Sequence, residues 1–483
     1  MNRVFSFLGS LAGYSFPMIP GQCPVTSVHF FRWQCTLKIA LRESLQGFDK
    51  DSYMVTGNEY IFPDINAAIQ FLIQQEKDSL RKDIFRQKAH PVFRPLPGLF
   101  NRPFNEGDLL IPIDSLEYPH SAWFNNAGDD KFLMTRLQSG RYSLKPNLRH
   151  RKYLFRGESK FHNPCKPNLS RNPGQKRFTR ELMMGQEMML LMMSHPLVQL
   201  LDLGVDLCGT IYRFEMNLFG LTQHYYNKTT FLDLTSDLRV AAFFATTKYD
   251  CEEDSYLPID EDDNAIGVLY YYDLDINSDF GVCANGSKSI LSTIGLQVFP
   301  RSGRQKGFLY NLPVNQNFND IPQVHAVRFY QQKDLSEKIW SYFHGGKDLF
   351  PDDILARHWR ENYKDRRLVS TRTILMNKMF NTNMTLKQVE DEAKSLGLEI
   401  RDYVPRFSDE ELDQYYNAVL NDDYWQSFCR QIHIPGDKDG KMMATLLSLP
   451  EDPRYRWAFE PDKHHITEYD KGYVLNIFKE CLM

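Results

Sequence analysis

The stretch "YLFRGESKFHNPCKPNLSR", residues 153–171, ends an aromatic and aliphatic run on an arginine with a glycine directly behind it. A guanidinium is always charged and presents its donors in a planar fork, which suits it to a carboxylate, a phosphate or a hydroxyl. At the end of a strand-like segment, Arg156 therefore needs an acceptor. Asp233, inside the apolar segment "FLDLTSD", is one partner and would lock two strands; a ligand is the other. Gly157 reads as a turn glycine or as bare backbone that a ligand can approach. Upstream of Asp233, "LTQHYYNKTT" supplies His224, a side chain able to exchange protons near neutrality, with Tyr225 beside it. Thr235 and Ser236 read as hydroxyl caps of a following helix. Gln305 lies in the basic, glycine-flanked "RSGRQKG", where an amide can orient a group but carries no charge.

These residues need a scaffold, and the hydrophobic pattern supplies one. "KYLFRG" (152–157) reads as a strand closed by glycine, and "RFTRELMMGQEMMLLMM" (177–193) as a core helix holding six of the seventeen methionines. "TTFLDLTSDLRVAAFFATT" (229–247) gives a short strand, a cap and a helix with an apolar face of Val240, Ala241 and Phe244. "AIGVLYYYDLD" (265–275) is a buried strand, and 293–313 and 325–332 predict two more. The expected fold class is α+β, with a strand-rich central domain at 147–345. An irregular N-terminal region (1–146) precedes it and a mainly helical region (346–483) follows. The first contains an Asp-capped helix at 64–87 and the four-proline connection "PVFRPLPGLFNRPFNEGD".

The 483 residues leave room for about three domains. A net charge of −4 with 24% charged residues argues against a general nucleic-acid or membrane surface. Basic residues do cluster at 145–156 and 171–180, on either side of the Arg156–Gly157 segment, as charged loops facing water or as groups suited to phosphate. No run of 18 apolar residues predicts a membrane span. The start "MNRVFSFLGSLAGYSFPMIPGQC" reads either as a signal peptide or, since its positive end is a single Arg and Gly and Ser interrupt the apolar run, as an ordinary N-terminal segment or a start placed too early. Eight scattered cysteines without a CxxC pair fit a reducing, cytoplasmic setting and predict no metal site. "DLDINSDFG" (273–281) is no calcium loop, with Ser278 where glycine is needed and Ala284 where a bidentate Glu belongs. The sequence holds no GxGxxG, GxxxxGK[ST], HExxH or GxSxG.

Taken in order, "YLFRGES", "LSR", "LTQHYYNKTTFLDLTSDLRVAAFFA", "GVLYYYDLD", "GLQVFPRSGRQKGFLYNLP" and "FPDDIL" resemble the FRG domain, named for its (F/Y)-R-G motif. A weaker likeness, in "FRGES" and "LTSDLRVAAFFA", is to ADP-ribosyltransferases, which bind NAD. That likeness implies a nucleotide pocket with NAD as co-substrate and a macromolecular acceptor, protein or nucleic acid, in a stress or defence role. It implies catalytic roles for Arg156, His224 and Gln305, and cofactor contacts from Phe155, Arg156, Gly157, Tyr225, Asp233, Thr235 and Ser236. Gln305 departs from the pattern, because that position wants an acid to stabilise oxocarbenium-like charge. The other reading of the same pocket is a non-catalytic module that recognises a ligand or partner.

Overall fold

The structure is a computed structural model, and it describes residues 60–82, 128–136, 141–420 and 428–433, less 149, 172–173, 208–209, 251–254, 261–264, 275–290, 364–366 and 429. The proline-rich connection, the first residues of the chain and most of the calcium-like stretch 273–281 lie outside them.

A seven-stranded sheet organises the molecule. Its strands are β1 (Ile61–Phe62), β2 (Tyr153–Glu158), β3 (Phe231–Thr235), β4 (Ile266–Asp273), β5 (Leu291–Thr293), β6 (Gly307–Asn311) and β7 (Val324–Tyr330). They lie in the order β1-β7-β4-β2-β3-β6-β5. All neighbouring pairs are antiparallel except β1 with β7. The expected strand content therefore sits where the apolar runs are. The segment 293–313 is the exception: beyond Thr293, the end of β5, it extends as a strand only at Gly307–Asn311, after a helical turn at Arg301–Arg304 led by Pro300. Proline's fixed φ favours starting a helical turn over continuing a strand.

Strand alternation sends successive side chains to opposite faces. One face carries Leu154, Leu232, Leu234, Val268, Tyr270, Tyr272, Phe308 and Tyr310, packed with Cys165 and Phe318. On the other, Tyr153, Phe155 and Leu269 meet helix α1 (Ile65–Lys82) and helix α3 (Leu238–Thr246). Asp64 caps α1 through a 2.8 Å bond from the Ala67 N–H.

Between them in the chain, helix α2 (Gln175–Met193) buries Met183, Met184, Met188 and Met192 completely. Its methionines fill a core shared with Phe132, Tyr142, Ile294 and Leu309, and with Ile354, Trp359, Val389 and Ile432. That one core crosses both sequence boundaries, at 146 and at 345. Polar contacts reinforce it at Glu187, fully buried in α2, which accepts from Tyr363 Oη (2.9 Å), Ser370 N (2.8 Å) and Thr373 Oγ1 (2.6 Å). The last part of the chain begins as expected with helices, α4 (Ile354–Asn362), α5 (Thr371–Phe380) and α6 (Leu386–Ser395).

Candidate functional site

β2 and β3 are neighbours in the sheet, yet their register is a single pair, Phe155 with Thr235. Arg156 spans the parted strands. Its Nη1 donates to the Asp233 carbonyl at 2.9 Å, while Nε and Nη2 donate to Glu158 Oε1 at 3.0 and 2.6 Å. The expected partner, the Asp233 carboxylate, is thus replaced by that residue's backbone and by Glu158. Alternation explains the exchange. Residues 156 and 158 share a face of β2, whereas Asp233 shares the opposite face with Thr235. Burial alone would lower the Arg156 pKa, but the Glu158 carboxylate drives it above its ordinary value. Cys165 Sγ packs at 3.8 Å from Glu158 Oε1, and burial together with that carboxylate pushes the thiol up to about 11.

Gly157 is neither a turn nor an open approach. It lies inside β2, and a Cβ there would stand 1.8 Å from the Ala241 carbonyl oxygen and 2.7 Å from the Ala245 nitrogen. The missing side chain lets α3 lie directly on the strand. Phe155, 1% exposed, belongs to the same packed layer and offers no surface to a cofactor.

Thr235 and Ser236 do not cap α3; Asp237 does, its carboxylate accepting from the Arg239 N–H at 3.0 Å. Thr235 Oγ1 instead ties the turn together, donating to the Gln305 carbonyl at 2.7 Å and accepting from the Asp237 N–H at 3.0 Å. Ser236 N–H reaches the Lys306 carbonyl at 3.4 Å. Burial raises the Asp237 pKa less than Arg239 and Lys306 lower it, so the carboxyl sits down at about 2.

Tyr225 has no exposed surface: its hydroxyl donates to Asp353 Oδ2 at 2.8 Å, and the Arg301 guanidinium lies 4.7 Å from its ring centre. That excludes stacking on a nicotinamide in this conformation. Gln305, 5% exposed, uses both ends of its amide. Nε2 donates to the Leu349 carbonyl at 3.0 Å, and Oε1 lies 2.9 Å from His224 Nδ1.

His224 is the site residue with an atom left over. Its side chain is 3% exposed, and Nε2 has no hydrogen-bond partner among the described residues. It faces Asp233 Oδ1 at 3.7 Å, an oxygen that is also buried and unbonded, on a side chain 43% exposed overall. Burial lowers the His224 pKa, opposed by Asp233, so the ring is held toward its neutral form. Two facing acceptors without a donor are expensive, with each unmet buried group costing about 1–3 kcal/mol.

Five of the nine residues singled out from sequence are therefore divided between the two faces of the sheet. Arg156 projects from one face of the sheet, beside Glu158, Cys165 and Tyr270. His224, Asp233, Thr235 and Gln305 gather on the other, joined by direct contacts. Sequence reading missed Glu158 as the acceptor of Arg156, although its i, i+2 spacing on a strand carries that signal. It also missed the Leu349 carbonyl, for which no local signal exists. Among the described residues no three His, Cys, Asp or Glu side chains form a metal-binding group, and no helix is long and apolar enough to cross a membrane.

No curated protein and no solved structure matches the chain. The family model of the FRG domain matches residues 151–254, a span holding Arg156, Gly157, His224, Asp233 and α3. The protein is therefore an FRG domain-containing protein, with the domain's namesake arginine built into the sheet.

Proposed function

We propose that the FRG domain is a ligand-recognition module, and that its ligand is a nucleotide of the NAD class contacted at Asp233 and His224. The observation that carries this reading is their unmet acceptor pair. Arg156, Gly157, Phe155, Tyr225, Thr235 and Gln305 are all taken up by contacts within the fold, while His224 Nε2 and Asp233 Oδ1, 3.7 Å apart, have no hydrogen-bond partner among the described residues. A sugar hydroxyl has the donor they lack. A cation follows Gln305 directly in the chain: Lys306, whose Nζ is 3.8 Å from the Asp237 carboxylate that also binds Arg239. A cytoplasmic setting accords with the scattered cysteines.

The catalytic reading, transfer of ADP-ribose from NAD to a protein or nucleic acid, is favoured by one feature. Asp233, through His224, stands close to Gln305 and brings a carboxylate to the neighbourhood where residue 305 lacks one. Incubating the full chain with labelled NAD separates the two. Saturable binding lost in Asp233→Ala, without nicotinamide release, supports the module. Nicotinamide release or label transfer, abolished in the same variant, supports the transferase. No binding of NAD at all overturns both.

A further inference from the structure

The hydrogen-bond directions around His224 fix more than its position. An amide nitrogen can only donate, so Gln305 Nε2 at 3.0 Å from the Leu349 carbonyl orients the whole Gln305 side chain. Gln305 must then present Oε1, which can only accept, to His224 Nδ1 at 2.9 Å. The imidazole proton therefore sits on Nδ1, and Nε2 of the neutral ring carries a lone pair. Nε2 stands 3.7 Å from Asp233 Oδ1, and a carboxylate oxygen is likewise an acceptor. Gly307, immediately after this turn, keeps the His224 edge clear, since a Cβ there would stand 3.3 Å from Nε2.

We propose that Gln305 is a positioning residue that locks the His224 tautomer, so that Nε2 and the Asp233 carboxylate together receive the vicinal diol of a ribose. This rests on the reading of the site as a nucleotide pocket and names the part of the nucleotide it holds. One hydroxyl donates to Nε2 and its neighbour to Asp233. Asp233 is the cover as well as a partner. Its Oδ1 is buried 3.7 Å from Nε2 while the side chain as a whole is 43% exposed, so rotation about its side-chain bonds would admit the ligand. A phosphate or carboxylate oxygen gains nothing at this pair, because it meets two acceptors. The role assigned to residue 305 is thereby different from that of a missing acid: an acid would accept from Nδ1 equally well but would set a carboxylate against the Leu349 carbonyl.

The test uses the full chain with histidine labelled by nitrogen-15, and two probes: NAD and NAD lacking both hydroxyls of the nicotinamide ribose. In the free protein, His224 should report a protonated Nδ1 and a bare Nε2, and Gln305→Glu should change that signature. NAD should shift the Nε2 resonance and bind at least about ten-fold more tightly than the dideoxy probe, a margin of about 1.4 kcal/mol. Asp233→Asn, which keeps the side-chain shape, should erase that margin. A protonated Nε2 in the free protein overturns the tautomer lock. Equal binding of the two probes overturns the diol assignment while leaving the nucleotide reading standing. Failure of both probes to bind, with the tautomer as stated, removes the nucleotide reading and the diol with it.

Discussion

His224 Nε2 and Asp233 Oδ1 face each other across 3.7 Å with no donor between them. Replacing the carboxylate by an amide supplies that donor. Asp233→Asn should therefore stabilise the folded chain by about 1 kcal/mol, the net worth of a typical hydrogen bond. Urea unfolding of the variant beside the parent gives the comparison, and a lowered midpoint would count against the acceptor pair.

Arg156 and Glu158 are 16% and 8% exposed in their side chains and joined at 2.6 Å. Arg156→Met should destabilise by about 3 kcal/mol, because it strips the buried Glu158 carboxylate of its close partner and leaves it Arg171 Nη2 at 3.9 Å. Adding Glu158→Gln should recover most of the loss, a non-additivity readable from a double-mutant cycle. A double variant no better than the single would show that Arg156 acts chiefly through the Asp233 carbonyl.

At Gly157 any side chain collides with the backbone of α3, which cannot swing away like a flexible side chain. Gly157→Ala should cost about 3 kcal/mol, the upper end of the overpacking range. Circular dichroism melts would register it. Unchanged stability would mean that α3 is free to lift off the strand.

Lys145, 5% exposed, has its pKa pulled down by burial to about 7 against an ordinary 10.5, with Glu215 pulling the other way. Between those values the unfolded chain holds a proton that the folded chain has released, so stability rises with pH across this window. The slope approaches about 1.4 kcal/mol per pH unit at most. Denaturation midpoints should climb from neutral to mildly alkaline pH in the parent and flatten in Lys145→Met.

Cys165 has no exposed surface and a thiol raised to about 11. At mildly alkaline pH its thiolate fraction is on the order of one in a thousand, and reagents alkylate the thiolate. Modification of Cys165, followed by peptide mass spectrometry, should proceed only as fast as the chain opens. Rapid labelling of native protein at this position would contradict the burial.

Much of the architecture is legible in the sequence, because it is written in short-range patterns. Apolar runs of strand length, a cap ahead of Leu238 and helical spacing in the methionine helix each depend on residues a few positions apart. Alternation along β2 likewise fixes Arg156 and Glu158 on one face. The order of motifs was enough to suggest the FRG domain. The roles of individual residues were decided elsewhere. The one-pair register at Phe155 and Thr235 gave Arg156 a carbonyl in place of a carboxylate. The seat of α3 turned Gly157 from an opening into a contact. Leu349, 44 residues from Gln305, and Asp353, 128 residues from Tyr225, settled what those side chains were free to do. Donor and acceptor pairing at such separations is set by packing, and no window of sequence contains it.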